Sequence, residues 1–135
     1  MNIFYSPSTN LNLLYFTAKL LSAPQQSYQV FMLDMDHPFS ALQVTRFNDS
    51  QIGIIDNLVA SDDALTLAFS RGTNATFPDR TENIWAVDLN SYGYTRNLTP
   101  PDSPANAATV DGSLHFIPGN TTPPDPRGPQ LVYAY

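Results

Sequence analysis

Two stretches of this sequence carry side chains whose types and spacing could support chemistry. Asp62 and Asp63 are adjacent carboxylates, and such a pair can act as general acid and base or hold a cation. Asp34, Asp36 and His37 are residue types that bind metal ions, and they lie close together in the chain. Both interpretations depend on the elements that position these side chains, so the surrounding pattern decides between them.

The surrounding pattern repeats along the chain. The letters STNLNLLYFT at 8–17 align with SDDALTLAFS at 61–70, which lie 53 residues later. The letters YQVFMLDMD at 28–36 align with ENIWAVDLN at 82–90, which lie 54 residues later. In both copies a polar start leads into alternating apolar residues, and an aspartate ends the second apolar run. The two copies therefore indicate a structural repeat.

Further matches extend the repeat in the same order. Thr45 and Thr99, which end the first and second copies, are 54 residues apart. A third copy begins with TVDGSLHFI at 109–117 and continues with QLVYAY at 130–135. Length differences between the copies fall in connections rich in Pro, Asn and Thr. Because insertions in repeat proteins collect in such connections, three copies of one supersecondary unit are indicated.

Each copy predicts up to four short strands. Val, Ile, Phe, Tyr and Trp concentrate in windows that turn residues separate. In order, the windows predict a lead-in strand, an alternating strand, a more apolar strand and a short closing strand. The predicted ranges are about 3–6, 11–17, 28–34 and 41–45, then 57–60, 65–70, 83–88 and 95–99, then 105–108, 113–117 and 130–135.

The sequence therefore predicts an all-β fold, a partial β-propeller with two four-stranded blades and most of a third. Residues 1–135 form one incomplete propeller segment, with repeat units at approximately 1–50, 51–102 and 103–135. Only 13% of the residues are charged, whereas long helices usually carry charged residues on their wet face. A β-sandwich with similar hairpins is the alternative, but it does not account for residue types repeated in register.

The second copy carries the repeat most completely, and the first and third copies match it in part. Its matching residues are Ser61, Asp63, Leu67, Ala68, Phe69, Ile84, Trp85, Val87, Asp88, Leu98 and Thr99. This pattern resembles the WD40-like repeats of TolB-type β-propellers, although Asp62 and Ala64 stand where Pro and Gly are usual. The resemblance covers nearly the whole chain and implies a propeller. It implies no activity, because this fold hosts unrelated functions.

The repeat also favours a structural interpretation of the carboxylates. Asp63 aligns with Asn10 and Asp111, and Asn or Asp at one turn position is typical of side-chain-to-backbone hydrogen bonding. Asp34 aligns with Asp88 at the end of the same predicted strand. The two histidines lie far apart and no Gly-x-Ser-x-Gly occurs, so no hydrolase triad is indicated. We therefore predict no catalytic residue, no metal site and no cofactor in this chain.

Charge and connection length bear on partners. The net charge of −6 argues against nucleic acid, and no apolar run reaches the roughly 18 residues that insertion into a membrane requires. The connection after the alternating strand is long in every copy, and these connections hold Arg71, Arg80 and Arg127. Repeat proteins often bind partners on the face that such connections share, so the three arginines predict a partner-binding rim. The alternative is that they only keep the loops soluble.

Four Asn-x-Ser/Thr sequons bear on location. Asn48, Asn74, Asn97 and Asn120 are predicted N-glycosylation sites. They favour an extracellular or periplasmic protein, although the chain shows no signal peptide.

The function predicted from these observations is non-catalytic. The chain is expected to serve as a protein-interaction scaffold and to be part of a larger propeller. Its partners would be another protein, further propeller blades, or copies of itself that complete the open sheet edges. The alternative is the substrate-gating propeller of a prolyl oligopeptidase-like serine peptidase, whose repeat pattern is similar and whose catalytic domain lies outside this chain.

Overall fold

The computed structural model describes nine ranges of the chain. They are 3–6, 12–19, 28–47, 53–61, 65–72, 82–91, 94–99, 114–117 and 130–132. Within these ranges every regular element is a β-strand, so the all-β prediction is confirmed for this part of the chain. None of the residues described belongs to a helix that is long and apolar enough to cross a membrane.

The ten strands form two four-stranded antiparallel sheets and one hairpin. Sheet 1 has the order β1-β2-β3-β4, sheet 2 the order β5-β6-β7-β8, and hairpin 3 pairs β9 with β10. The strands are β1 Ile3–Ser6, β2 Leu13–Ala18, β3 Gln29–Asp34, β4 Leu42–Gln43, β5 Ile54–Ala60, β6 Thr66–Gly72, β7 Glu82–Asp88, β8 Tyr94–Asn97, β9 His115–Ile117 and β10 Gln130–Val132.

The predicted strand boundaries differ from the structure mainly where β5 meets β6. β5 begins at Ile54, three residues earlier than expected, and β6 continues through Gly72. The two extensions have one cause, because Ile54 pairs with Gly72 and Ile55 pairs with Arg71. Arg71 therefore lies in a strand and not in the connection that follows it. The strand predicted at 105–108 lies outside the described residues.

Sheets 1 and 2 pair their strands in equivalent registers. Phe16 lies opposite Phe31 in sheet 1, and Phe69 lies opposite Trp85 in sheet 2. The closing strands repeat this relationship, since Phe31 lies opposite Gln43 and Trp85 lies opposite Asn97. These pairs are related by the same offsets that the sequence shows. The first two sequence copies thus correspond to two sheets that are built alike.

A buried threonine joins the segment after the last strand of each sheet to the strand beside it. The Thr45 hydroxyl accepts a hydrogen bond from the Val30 amide at 2.9 Å and donates to Gln29 Oε1 at 2.9 Å. The Thr99 hydroxyl accepts from the Ile84 amide at 3.2 Å and has two acceptors for its proton, Asn83 Oδ1 at 3.0 Å and Asn97 Oδ1 at 2.9 Å. The match between these threonines in the sequence therefore reflects one hydrogen-bonding arrangement made twice.

A bulge distinguishes the first strand of sheet 2. The register between β5 and β6 shifts between Asp56 and Val59, and Asn57 within the bulge has φ 52°. Asn adopts this left-handed conformation more readily than most residues. Its side-chain amide donates to the Ser70 hydroxyl at 3.1 Å, which ties the bulge to the neighbouring strand.

The sheets pack face to face in a constant order. Alternate residues of a strand lie on opposite faces, so each sheet has two faces. We call the face that carries Phe16 and Phe31 the front of sheet 1, the face that carries Phe69 and Trp85 the front of sheet 2, and the opposite faces the back. The back face of sheet 1 packs on the front face of sheet 2. The back face of sheet 2 packs on hairpin 3 through Ile84, Leu114 and Leu131. Each large apolar side chain buried in this way contributes about 1.5–3 kcal/mol to stability. The larger core contains Leu13, Tyr15, Val30 and Val44 from sheet 1 and Ile55, Leu58, Leu67, Phe69 and Val87 from sheet 2.

Candidate protein-interaction surface

The front face of sheet 1 is an apolar surface on two neighbouring strands. We define it by Leu14 and Phe16 of β2 and Phe31 and Leu33 of β3. Leu14 lies opposite Leu33, and Phe16 lies opposite Phe31. The two phenyl rings stack with centroids 5.5 Å apart and planes inclined by 17°. All four side chains are half-buried, and neither hydrophobic cluster of the described residues includes them.

The equivalent surface of sheet 2 is covered. Leu67, Phe69, Trp85 and Val87 occupy the repeat positions of the four residues just named. Leu67, Phe69 and Val87 are each 0% exposed, because the back face of sheet 1 lies on them. The same kind of surface is therefore fully buried in one sheet and half-buried in the other.

An aromatic residue from the end of sheet 1 completes the cover over sheet 2. Phe47 follows β4, and its ring meets Phe69 and Trp85 edge-on at centroid distances of 6.1 and 5.4 Å. Such edge-to-face contacts add about 0.5–1.5 kcal/mol to the burial of the rings. The front face of sheet 2 is therefore covered by apolar and aromatic side chains from sheet 1 and the segment that follows it.

Arg71 takes part in this cover and is not an exposed rim residue. It is 3% exposed, and its guanidinium lies 4.0 Å from the Phe47 ring centre. A Cβ on Gly53 would lie 2.8 Å from Arg71 Cζ, so the absence of a side chain at Gly53 makes room for the arginine. The expectation of an exposed cation is wrong for Arg71, because pairing of β6 with Ile55 places it between the sheets. Arg80 and Arg127 lie outside the described residues, and their role in a rim stays a prediction.

The aspartates that end β3 and β7 form equivalent turns. Asp34 Oδ1 accepts a hydrogen bond from the Asp36 amide at 2.9 Å, and Asp88 Oδ1 accepts one from the Asn90 amide at 2.8 Å. The second oxygen of Asp88 accepts from the Ser91 hydroxyl at 3.2 Å. The repeat predicted that Asp34 and Asp88 are equivalent, and the structure adds that each closes its turn with the same hydrogen bond. Asp62 and Asp63 lie outside the described residues.

His37 adds an ion pair to the first of these turns. Its Nδ1 lies 3.0 Å from the second oxygen of Asp34. This hydrogen bond lowers the pKa of Asp34 and raises the pKa of His37. Both side chains are solvent-exposed, so the pair is a local feature of the turn. Across the described ranges no three His, Cys, Asp or Glu residues are grouped in a way that could hold a metal ion.

A small cavity lies on sheet 2 away from the front face of sheet 1. Its volume is about 190 Å³, and it opens between β6, β7 and β8. Asp88, which is among its polar residues, already accepts the hydrogen bonds of its turn. Pockets for small molecules usually measure about 300–1,000 Å³, so this cavity is a weaker candidate than the apolar face.

The predicted glycosylation sites are described only in part. Asn97 is exposed on β8, and its Oδ1 accepts a hydrogen bond from the Thr99 amide at 3.0 Å. Asn48, Asn74 and Asn120 lie outside the described residues. Glycosylation and an extracellular or periplasmic location therefore stay predictions.

The sequence indicated the residues of the open surface but not that the surface is open. The repeat predicts that Phe16 and Phe31 pack between blades, and the structure shows that the equivalent Phe69 and Trp85 pack between sheets 1 and 2.

Comparisons with known proteins do not assign the chain to a family. A scan against models of protein families, a search of curated proteins and a search of solved structures each find no match. The resemblance to TolB-type repeats consequently stays a prediction, and the site must be interpreted from its own geometry.

Proposed function

We propose that this chain is a non-catalytic segment of a β-propeller that serves as a protein-interaction scaffold. One observation carries the proposal. The front face of sheet 2 is buried under sheet 1, whereas the equivalent front face of sheet 1 is only half-buried and belongs to neither hydrophobic cluster of the described residues. A surface of the kind that binds a sheet within the chain is thus left available for a partner.

The propeller part of the proposal is supported by the repeated sheets. A propeller blade is a four-stranded antiparallel sheet, and blades pack face to face around an axis. Sheets 1 and 2 have this strand order and share one register. Their front-to-back packing continues from sheet 2 to hairpin 3, as the packing of a third blade would.

The chemistry of the open surface favours a protein over a small ligand. Phe16 and Phe31 form a stacked aromatic centre, and Leu14 and Leu33 lie beside them on the same face. Aromatic side chains are enriched at the centres of protein interfaces, and charged side chains are depleted there. The face is the flat side of a sheet, so a second layer about 10 Å away would cover it.

Photo-crosslinking tests this proposal. p-Benzoylphenylalanine is placed at Phe31, on the open face, or at Phe39, which is 92% exposed in the turn after β3. The full-length protein is then irradiated in its own host. We expect the Phe31 variant to give a covalent protein adduct that the Phe39 variant does not give. No protein adduct at Phe31, or equal adducts at both positions, would contradict the proposal.

A further inference from the structure

We propose that the cavity on the back face of sheet 2 binds a small zwitterion with the ammonium and carboxylate groups of a free α-amino acid. The cavity is separate from the front face of sheet 1, so this inference does not rest on the proposed function. Two observations carry it, namely a departure of sheet 2 from the repeat and two opposite charges in one cavity.

The cavity is lined by paired residues of three neighbouring strands. Asp88 of β7 lies opposite Thr66 of β6 and Tyr94 of β8. Ala86, two residues before Asp88, lies opposite Arg96 of β8. Directly paired residues share a face of the sheet, so these side chains stand together on the back face. Ala86 is 2% exposed and is the smallest lining residue, and the volume of about 190 Å³ lies between the longer side chains around it.

The cavity lies where sheet 2 departs from the repeat. The equivalent positions of sheet 1 hold large apolar residues, which are Leu13 for Thr66, Met32 for Ala86 and Leu42 for Arg96. Leu13 and Met32 pack in the core between the sheets. Sheet 2 carries a hydroxyl, a methyl group and a guanidinium in their place. Sheet 1 forms the same strand arrangement without these groups, so the fold does not require them, and their presence points to a ligand.

Two opposite charges define the chemistry of the ligand. Asp88 and Arg96 line the same cavity, and in the described part of the chain they form no ion pair with each other. An anion alone would be repelled by Asp88 and a cation alone by Arg96, whereas a zwitterion is attracted by both. The guanidinium can donate two parallel hydrogen bonds to a carboxylate. Each Asp88 oxygen accepts one hydrogen bond within its turn and keeps a second lone pair for an ammonium group.

The size of the cavity limits the ligand to a small molecule. Its volume of about 190 Å³ lies below the roughly 300–1,000 Å³ of pockets for drug-sized molecules. Ala86 and Val87 contribute apolar lining between the charged groups. A free amino acid with a short apolar side chain therefore fits the cavity better than a peptide or a nucleotide does.

A titration with L-alanine, followed in ¹H–¹⁵N NMR spectra of the full chain, tests the site. We expect saturable shifts of the Ala86, Asp88 and Arg96 amide signals, and no such shift at Met32, the position of sheet 1 equivalent to Ala86. Acetate and methylammonium each carry only one of the two charges, so both should bind at least about tenfold more weakly than alanine.

Three variants each remove one feature of the site. Arg96→Ala removes the cation, Asp88→Asn removes the anion but keeps an acceptor for the turn, and Ala86→Met fills the cavity with the residue found in sheet 1. Each should weaken alanine binding by about tenfold or more. The matched controls are Arg46→Ala, at an exposed cation, and Asp34→Asn, in the equivalent turn of sheet 1. Both should bind alanine as the wild type does.

Three results would overturn the inference. They are the absence of saturable shifts with alanine, binding of acetate or methylammonium as tight as that of alanine, and wild-type affinity in Arg96→Ala or Asp88→Asn. Amide spectra as well dispersed as those of the wild type confirm that each variant is folded. These variants leave the front face of sheet 1 unchanged, so crosslinking at Phe31 tests the proposed function separately.

Discussion

The guanidinium of Arg71 lies 4.0 Å from the ring centre of Phe47, so a cation on sheet 2 packs against a ring that follows sheet 1. Phe47 in turn meets Phe69 and Trp85 edge-on. Contacts between the two sheets therefore combine apolar burial with a desolvated cation–π pair. This relationship links the stability of each sheet to its packing on the other.

Replacing Arg71 tests how much this contact contributes. Arg71→Ala removes the cation–π contact and the buried stem of the side chain, and we expect a loss of about 2 kcal/mol in the free energy of unfolding. Arg96→Ala, on the exposed side of β8, should change it by less than about 0.5 kcal/mol. Urea unfolding monitored by the fluorescence of Trp85 measures both. Equal losses for the two variants would show that Arg71 does not join the sheets.

The equivalent threonines should contribute alike to stability. Thr45→Val and Thr99→Val keep the side-chain shape but leave the Val30 and Ile84 amides without their hydroxyl acceptors. We expect each to cost about 1–3 kcal/mol, the penalty of an unsatisfied buried donor. The control Thr95→Val, at the one half-buried position of the otherwise exposed β8, should be nearly neutral. Denaturant unfolding measures all three, and a neutral Thr45→Val or Thr99→Val would contradict the shared arrangement.

Tyr15 should lower the free energy of unfolding at alkaline pH. Burial raises the pKa of Tyr15 to about 12, above its ordinary value of 10.0. The folded chain thus keeps the proton after the unfolded chain has lost it, and stability falls as pH rises from about 10 to about 12. Its hydroxyl has no hydrogen-bond partner among the residues described, so Tyr15→Phe should stabilise the protein at neutral pH by about 1 kcal/mol.

Unfolding curves at neutral and alkaline pH test the role of Tyr15. The advantage of Tyr15→Phe over the wild type should widen as the pH rises. Tyr94→Phe is the control, because Tyr94 is 69% exposed. An advantage for Tyr15→Phe that stays constant with pH would contradict the raised pKa.

The turn after β3 should show a pH-dependent ion pair. The Asp34 carboxylate raises the pKa of His37 above 6.5, so the stabilisation of protonated His37 is present below 6.5 and is lost as pH rises through the raised pKa. The pKa of Asp34 is lowered below 3.8, so its contribution is present above 3.8 and is lost as pH falls through the lowered pKa. The pair therefore acts between the two shifted values.

An NMR titration of the His37 ring measures this pair. Asp34→Asn should bring the pKa of His37 back toward 6.5, because it replaces the charged acceptor of the hydrogen bond with a neutral amide and so removes the nearest negative charge. Asp36→Asn removes only the weaker charge effect of a neighbour and should lower the pKa less. An unchanged His37 pKa in Asp34→Asn would rule out the ion pair.

The sequence predicted the strands and turns better than the relationship between sheets. Periodicity located β2, β3 and β7 because alternating and apolar runs are local signals. The aspartate turns and the threonine pair followed from the alignment of two copies. Arg71 was misplaced because its strand position depends on pairing with Ile55, which is a non-local contact that no local pattern records. Periodicity also does not show which face of a sheet packs on a neighbour. The different burial of the front faces around Phe31 and Phe69 is therefore seen only in the structure.

The central claim is that sheets 1 and 2 stack front to back, since the proposed function is argued from that packing. Trp85 is the single tryptophan of the chain, so its indole resonances are unambiguous. A nuclear Overhauser experiment should show cross-peaks from the Trp85 indole protons to the ring protons of Phe47, whose centroid lies 5.4 Å away. Indole cross-peaks confined to residues of sheet 2 would contradict the stacking and, with it, the proposed function.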